Sequence, residues 1–164
     1  MTYFDDAFTL LMEHEGGAKI DSTSSMPSKF GIELDHWHNL VPFVNMTEQD
    51  ARGFYLENYW TPLKLDKFVS YKLATILFDL AVNQGSSTAV KHIQALLNLR
   101  ADGVIGPTTL KEINAANPTK LALKLIALSA DHYVQIARSD PKKLIYLAGW
   151  VARTYLLVEY LFGF

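Results

Sequence analysis

The run His14-Glu15-Gly16-Gly17 is where this sequence is best suited to acid–base chemistry. Phe4, Phe8 and Leu11 recur at helical spacing, and Glu15 falls four residues beyond Leu11 on the same stripe. A carboxylate in line with an apolar face is costly to bury unless it is paired or neutralised. The two glycines then end the helix, because they accept backbone conformations that other residues resist. Glu15 is left at a helix end, partly desolvated, beside an open loop. Such a setting favours the protonated form of a carboxylic acid and suits it to protonating a leaving group near neutral pH. Spacing alone also allows a glutamate that rolls to the solvent edge of the stripe.

Other residue types with chemical potential are scattered. Asn83-Gln84 closes an apolar helix, and such side-chain amides both donate and accept, as sugar hydroxyls and N-acetyl groups require. Trp60 stands at a helix end next to a loop, where its ring can either pack in the core or offer a flat face to a sugar. Asp79 lies inside the apolar run Leu73 to Val82, so it needs a partner, and a structural anchor is its expected role. His36 and His38, two residues apart, point to different sides of a helix, and no metal site is expected from them. The absence of cysteine excludes disulfides and thiol catalysis.

The elements that must position these groups read as helices. The first ends near Glu15, and a polar, serine-rich loop follows from Ala18 to Lys29. Phe30-Gly31-Ile32 returns the chain as a short strand, and a helical segment through Leu34, Trp37 and His38 is expected after it. Thr47 with Asp50 three residues on is a helix start, and that helix should run to Tyr59-Trp60 before Pro62. Ser70 caps the next helix, which stops at Asn83-Gln84-Gly85. Ser87 or Thr88 opens another through Val90, Ile93, Gln94 and Leu97, and Pro107 and Pro118 each suit a first helical position. Leu121, Leu125 and Leu128 share a stripe in the helix that runs to about Arg138. At least six helices with little strand give a mainly α fold, one compact domain with at most a short β-hairpin.

The last segment, Leu144 to Phe164, is very apolar, but Arg153 sits near its centre and Glu159 follows. Charges there cost roughly 2.5–3.5 kcal/mol each on crossing a membrane, so a buried closing helix is expected rather than a span. With 164 residues, 49% hydrophobic, the chain is long enough to bury a substantial core. Its formal net charge is −2 and no long run of Lys or Arg appears, so nucleic acid is not an expected partner. The N-terminus lacks the basic and apolar regions of a signal peptide.

Groups of residues along the chain, taken in order, resemble a known family. Glu15-Gly16-Gly17, Lys29-Phe30-Gly31-Ile32, Tyr59-Trp60, and Phe78-Asp79 with Asn83 and Gly85 are similar to the glycoside hydrolase family 108 peptidoglycan muramidases. Gln94, Asp102-Gly103-Val104-Ile105-Gly106-Pro107-Thr108-Thr109-Leu110, and Gly149-Trp150 with Arg153 resemble the peptidoglycan-binding-like segment that follows in those proteins. The resemblance covers almost the whole chain. It implies a lysozyme-like helical fold with a catalytic part over 1–85 and a peptidoglycan-binding-like part over 86–164, packed into the same globule. It also implies cleavage of the β-1,4 bond between N-acetylmuramic acid and N-acetylglucosamine, with Glu15 as general acid and no cofactor.

One departure bears on mechanism. The family's loop after Glu-Gly-Gly holds an Asp and then a Thr, whereas here Ser24 stands near that Asp and Ser28 near that Thr. The second carboxylate is then either Asp21 or absent, and with Asp21 in that role Ser24 or Ser28 would position a water. Ser28, Lys29, Phe30, Tyr59, Trp60, Asn83 and Gln84 are expected along the glycan cleft. Peptidoglycan strands are the implied partner of a monomeric protein. Phage endolysins and secretion-type members of the family imply passage to the cell wall through a holin or a dedicated export route. Two other activities fit the same residues: a non-catalytic peptidoglycan-binding secretion helper, and a lytic transglycosylase, which needs the acid but not the second carboxylate.

Overall fold

Phe4, Ala7, Phe8 and Leu11 turn one apolar stripe inward, and this makes Tyr3–Glu15 the first helix, α1. Each large side chain so buried contributes about 1.5–3 kcal/mol. The computed structural model describes residues 2–15, 27–38 and 41–163. By their internal packing these form two compact units, Met1–Pro62 and Leu63–Phe164.

In the first unit a two-stranded antiparallel hairpin, β1 (Ser28–Lys29) and β2 (Ile32–Glu33), pairs Ser28 with Glu33 and Lys29 with Ile32. Its two turn residues, Phe30 and Gly31, both have positive φ, 53° and 74°. That is the combination a two-residue hairpin needs to match strand twist. The segment beyond it forms only a single 3₁₀ turn, Leu34–His36, rather than the helix through His38 that spacing suggests. Trp37 instead leaves the turn extended and donates its indole N–H to the carbonyl of Val41 at 2.7 Å.

Helix α2 (Glu48–Tyr55) opens on a reciprocal cap. The Asp50 amide donates to the Thr47 hydroxyl, and the Asp50 carboxylate accepts from the Thr47 amide at 2.8 Å. The chain continues as one π-helical turn, Leu56–Trp60, closed by the Thr61 amide on the Leu56 carbonyl. Arg52 of α2 pairs with Asp5 of α1 and lies over the Phe4 ring, 5.0 Å from its centre. Thr2 and Arg52 together hold the Asp5 carboxyl at a pKa of about 2, the Thr2 amide being the larger cause.

The second unit is built around α3 (Tyr71–Gln84), in which every residue from Leu73 to Ala81 is buried. Ser70 caps it through the Leu73 amide. Helices α4 (Ser86–Leu96) and α6 (Pro118–Ser139) pack on α3, and α5 (Pro107–Ala115) connects them. Asn117 caps α6 through the Lys120 amide, with Pro118 at the first helical position. The last helix, α7 (Leu144–Phe162), lies mainly along α6.

Two features of this unit explain residues that stood out in the sequence. Asp79 is 1% exposed and takes a two-pronged bond from Arg153 of α7, Nε to Oδ1 at 2.7 Å and Nη2 to Oδ2 at 3.1 Å. Gln94 is also buried. Its amide nitrogen donates to Asp102, Val104 and Thr109, and its carbonyl accepts from the Gly103 amide. The turn through 102–104 is therefore moulded on one glutamine. Its bond also holds the Asp102 carboxyl below the usual carboxylate range.

Helix α7 is not the buried helix that its composition suggests. Arg153, Thr154, Leu157 and Leu161 turn inward, but Leu144, Ile145, Tyr146, Val151, Tyr155 and Leu156 are exposed. Composition reports how apolar a helix is, not whether the fold has a second layer to cover its other face.

Candidate active site

Glu15 is the last residue of α1 and is half-buried. Its side chain lies across Gly31: a β-carbon added to that glycine would sit 2.6 Å from Oε2 and 2.8 Å from Cγ of Glu15. The positive φ of Gly31 and this close approach both demand glycine there. The hairpin turn is itself tied down, because the Tyr55 hydroxyl donates to the Phe30 carbonyl at 2.9 Å. Lys29, on β1, donates through Nζ to the Val44 carbonyl at 2.9 Å. The Glu15 carboxyl thus lies against the hairpin turn, and α2 ties that turn down.

Tyr59 completes this corner. Burial raises its pKa first, and the charges of Glu15 and then Glu33 raise it further, so both carboxylates lie within electrostatic reach of its hydroxyl. The π turn advances the helix by one residue within Leu56–Trp60 and sets the Tyr59 ring 5.8 Å from that of Tyr55 and 6.3 Å from that of Phe54. Glu33 is a further carboxylate near this corner, one that the sequence did not single out. It sits on β2 opposite Ser28, exposed, with Oε2 3.8 Å from Nδ1 of His36. Hairpin register is the one signal that links it to the loop.

The remaining candidates divide clearly. Ser28 and Lys29 are half-buried on β1, in the same hairpin as Gly31. Phe30 and Trp60 are buried, and the Trp60 ring packs on Phe4 with centroids 5.3 Å apart. Of the two roles the sequence left open for Trp60, its surroundings are those of a core residue. Asp21 and Ser24 lie outside the described residues. Asn83 and Gln84 belong to the second unit, at the end of α3. Asn83 accepts from the Tyr133 hydroxyl at 2.6 Å, and Gln84 donates to the Ser129 hydroxyl at 3.1 Å. Tyr133 in turn stacks on Trp150, with ring planes 17° apart. Each amide therefore already spends one polar atom on α6.

Comparison with known proteins bears on these two halves separately. Residues 8–85 match the family described as Glycosyl hydrolase 108, and residues 88–155 match the Predicted Peptidoglycan domain. The structure of Brucella abortus SagA superposes with a TM-score of 0.78 at 21% identity, covering 98% of this chain and 94% of that one. At that identity the likeness concerns the fold, which is mainly helical in both. A comparison with curated proteins gives no match. Residues 8–85 include Glu15, the hairpin and the π turn, and residues 88–155 include Gln94 and Arg153. Residues 8–85 are thus similar to the glycosyl hydrolase 108 family, and with the peptidoglycan domain that follows they make the protein a peptidoglycan-degrading glycoside hydrolase.

Proposed function

We propose that the protein is an N-acetylmuramidase, hydrolysing the β-1,4 bond between N-acetylmuramic acid and N-acetylglucosamine with Glu15 as general acid. The observation that carries this reading is the seat of Glu15: a carboxyl at a helix end, backed by a glycine that leaves no room for a side chain. Glycosidic cleavage needs a proton on the leaving oxygen, and a fixed carboxylic acid delivers it to one place. Asp21 is the second carboxylate in this reading, activating water or stabilising the oxocarbenium-like transition state. Ser24 and Ser28 hold that water. Glu33 is the alternative second carboxylate, and its shared influence on Tyr59 supports it.

The enzyme reaches its substrate by crossing from the cytoplasm to the cell wall through a holin or a dedicated export route, and acts there as a bacteriolytic endolysin-type protein. Glu15→Gln tests the core assignment. Clearing of purified sacculi should fall by about 10³-fold or more, since general acid catalysis contributes on the order of 10²–10⁴. Mass analysis of the products should find reducing-end muropeptides. Full activity of Glu15→Gln would remove it as the acid, and anhydro-muropeptides would make the enzyme a transglycosylase. Asp21→Asn and Glu33→Gln, assayed in parallel, separate the two candidates for the second group.

A further inference from the structure

The outward face of α7 is apolar and accessible over four turns, with a single carboxylate, Glu159, bonded to the Tyr155 hydroxyl at its far end. Between Leu144 and Val158 the one charged residue is Arg153, and it points inward to Asp79. Ile145 is 76% exposed, Tyr155 63% and Val151 50%, with Leu144, Tyr146 and Leu156 beside them. At about 1.5 Å per residue the strip is roughly 22 Å long. A soluble surface rarely carries so much contiguous apolar area without a partner for it. Taken with the preceding turn, Pro141–Phe162 is long and apolar enough to cross a membrane, yet only 22% of an 18-residue apolar window within it is buried.

Charge identifies the partner. Residues 63–164 carry twelve Lys and Arg against seven Asp and Glu, a formal +5. Residues 1–62 carry three against ten, a formal −7. The near-neutral total thus hides a basic second unit. Lys142 and Lys143 stand exposed immediately before the strip, and Arg138 is exposed one turn earlier. An apolar strip led by cations, with tyrosines along it, is the pattern of a helix that lies in the headgroup region of an anionic bilayer.

The same helix is held back from spanning. Its central Arg153 is locked to Asp79, and Lys72 of α3 donates to the Leu161 carbonyl at 2.8 Å. Insertion across a bilayer would break this ion pair and strip α7 from α6, whereas docking flat on the surface leaves both intact. We propose that α7 docks the protein in the plane of an anionic lipid membrane, through the face formed by Ile145, Val151, Tyr155 and Leu156, steered by Lys142 and Lys143. This inference does not depend on the role of Glu15.

Vesicle flotation of the full chain tests it. Vesicles of phosphatidylglycerol and phosphatidylcholine in equal parts should carry the protein up, pure phosphatidylcholine should not, and high salt should release it. Replacing both Ile145 and Val151 by Gln should lower the floated fraction on the order of tenfold while sacculus clearing and circular dichroism stay unchanged. Lys142→Gln with Lys143→Gln should lower binding to the anionic vesicles and remove most of its salt dependence. Three results would overturn the proposal: no flotation, flotation indifferent to Ile145→Gln and Val151→Gln, or protein that resists salt and alkaline extraction as a true span does. A fourth is a dimer in sedimentation that the same two substitutions dissolve, which would make the strip a contact between copies of this chain.

Discussion

Glu15 and Gly31 occupy each other's space: the carboxyl of one lies where the side chain of the other would be. Gly31→Ala therefore acts on Glu15 without touching its chemistry. The alanine would meet both an unfavourable positive φ, about 1–2 kcal/mol, and the Glu15 carboxyl. Sacculus clearing should drop steeply through kcat, while the urea midpoint shifts only modestly. Unchanged kcat would mean that the position of the Glu15 carboxyl does not matter to the reaction.

Arg153→Met should be far worse than its place on an exposed helix suggests. It leaves Asp79 buried and without its two-pronged partner, a loss of about 3–5 kcal/mol. Changing both residues, Asp79→Leu with Arg153→Met, removes the stranded charge and should recover most of that stability. Chemical denaturation of the two variants side by side measures the difference.

Much of the fold is legible from local chemistry. The Thr47–Asp50 cap, the Ser70 and Asn117 caps and the prolines at 107 and 118 each declare a helix start within four residues, and each start is where the structure has it. The partner of Asp79 is 74 residues away and was required by burial but not named by it. The same distance problem hid Glu33, which matters only because the hairpin and the π turn bring it near Tyr59. Trp60 sat at a helix end, where either a core or a surface role was possible, and contact with Phe4 could not be read from spacing. The exposed side of α7 was invisible for a different reason: periodicity cannot tell a covered apolar face from an uncovered one.

Gln94→Leu should cost about 1 kcal/mol by removing the partner of the half-buried Gly103 amide. Gln94→Glu should be worse at neutral pH, since it sets a carboxylate against Asp102, and its penalty should shrink as acid neutralises the new carboxyl. A thermal melt of each variant at two pH values distinguishes the cases.

Acid should destabilise the first unit over a definite window. The Asp5 carboxyl has a pKa of about 2 when folded and 3.8 ordinarily, so its stabilising effect is complete above about pH 4 and is lost as pH falls toward 2. Asp5→Asn should flatten the fall in urea midpoint across that interval. An unchanged slope would assign the acid sensitivity to another carboxylate of that unit, Asp50 first, whose pKa is also lowered.

The turn around Gln94 has a thermodynamic consequence for whatever meets it. Because one buried amide fixes Gly103, Val104 and Asp102 before any ligand arrives, a glycan contacting that turn would find its backbone already frozen. The conformational entropy of ordering those residues is lost once, during folding, and not again on each encounter. Engagement at this point should then proceed as between rigid bodies, with little dependence on how floppy the free loop is.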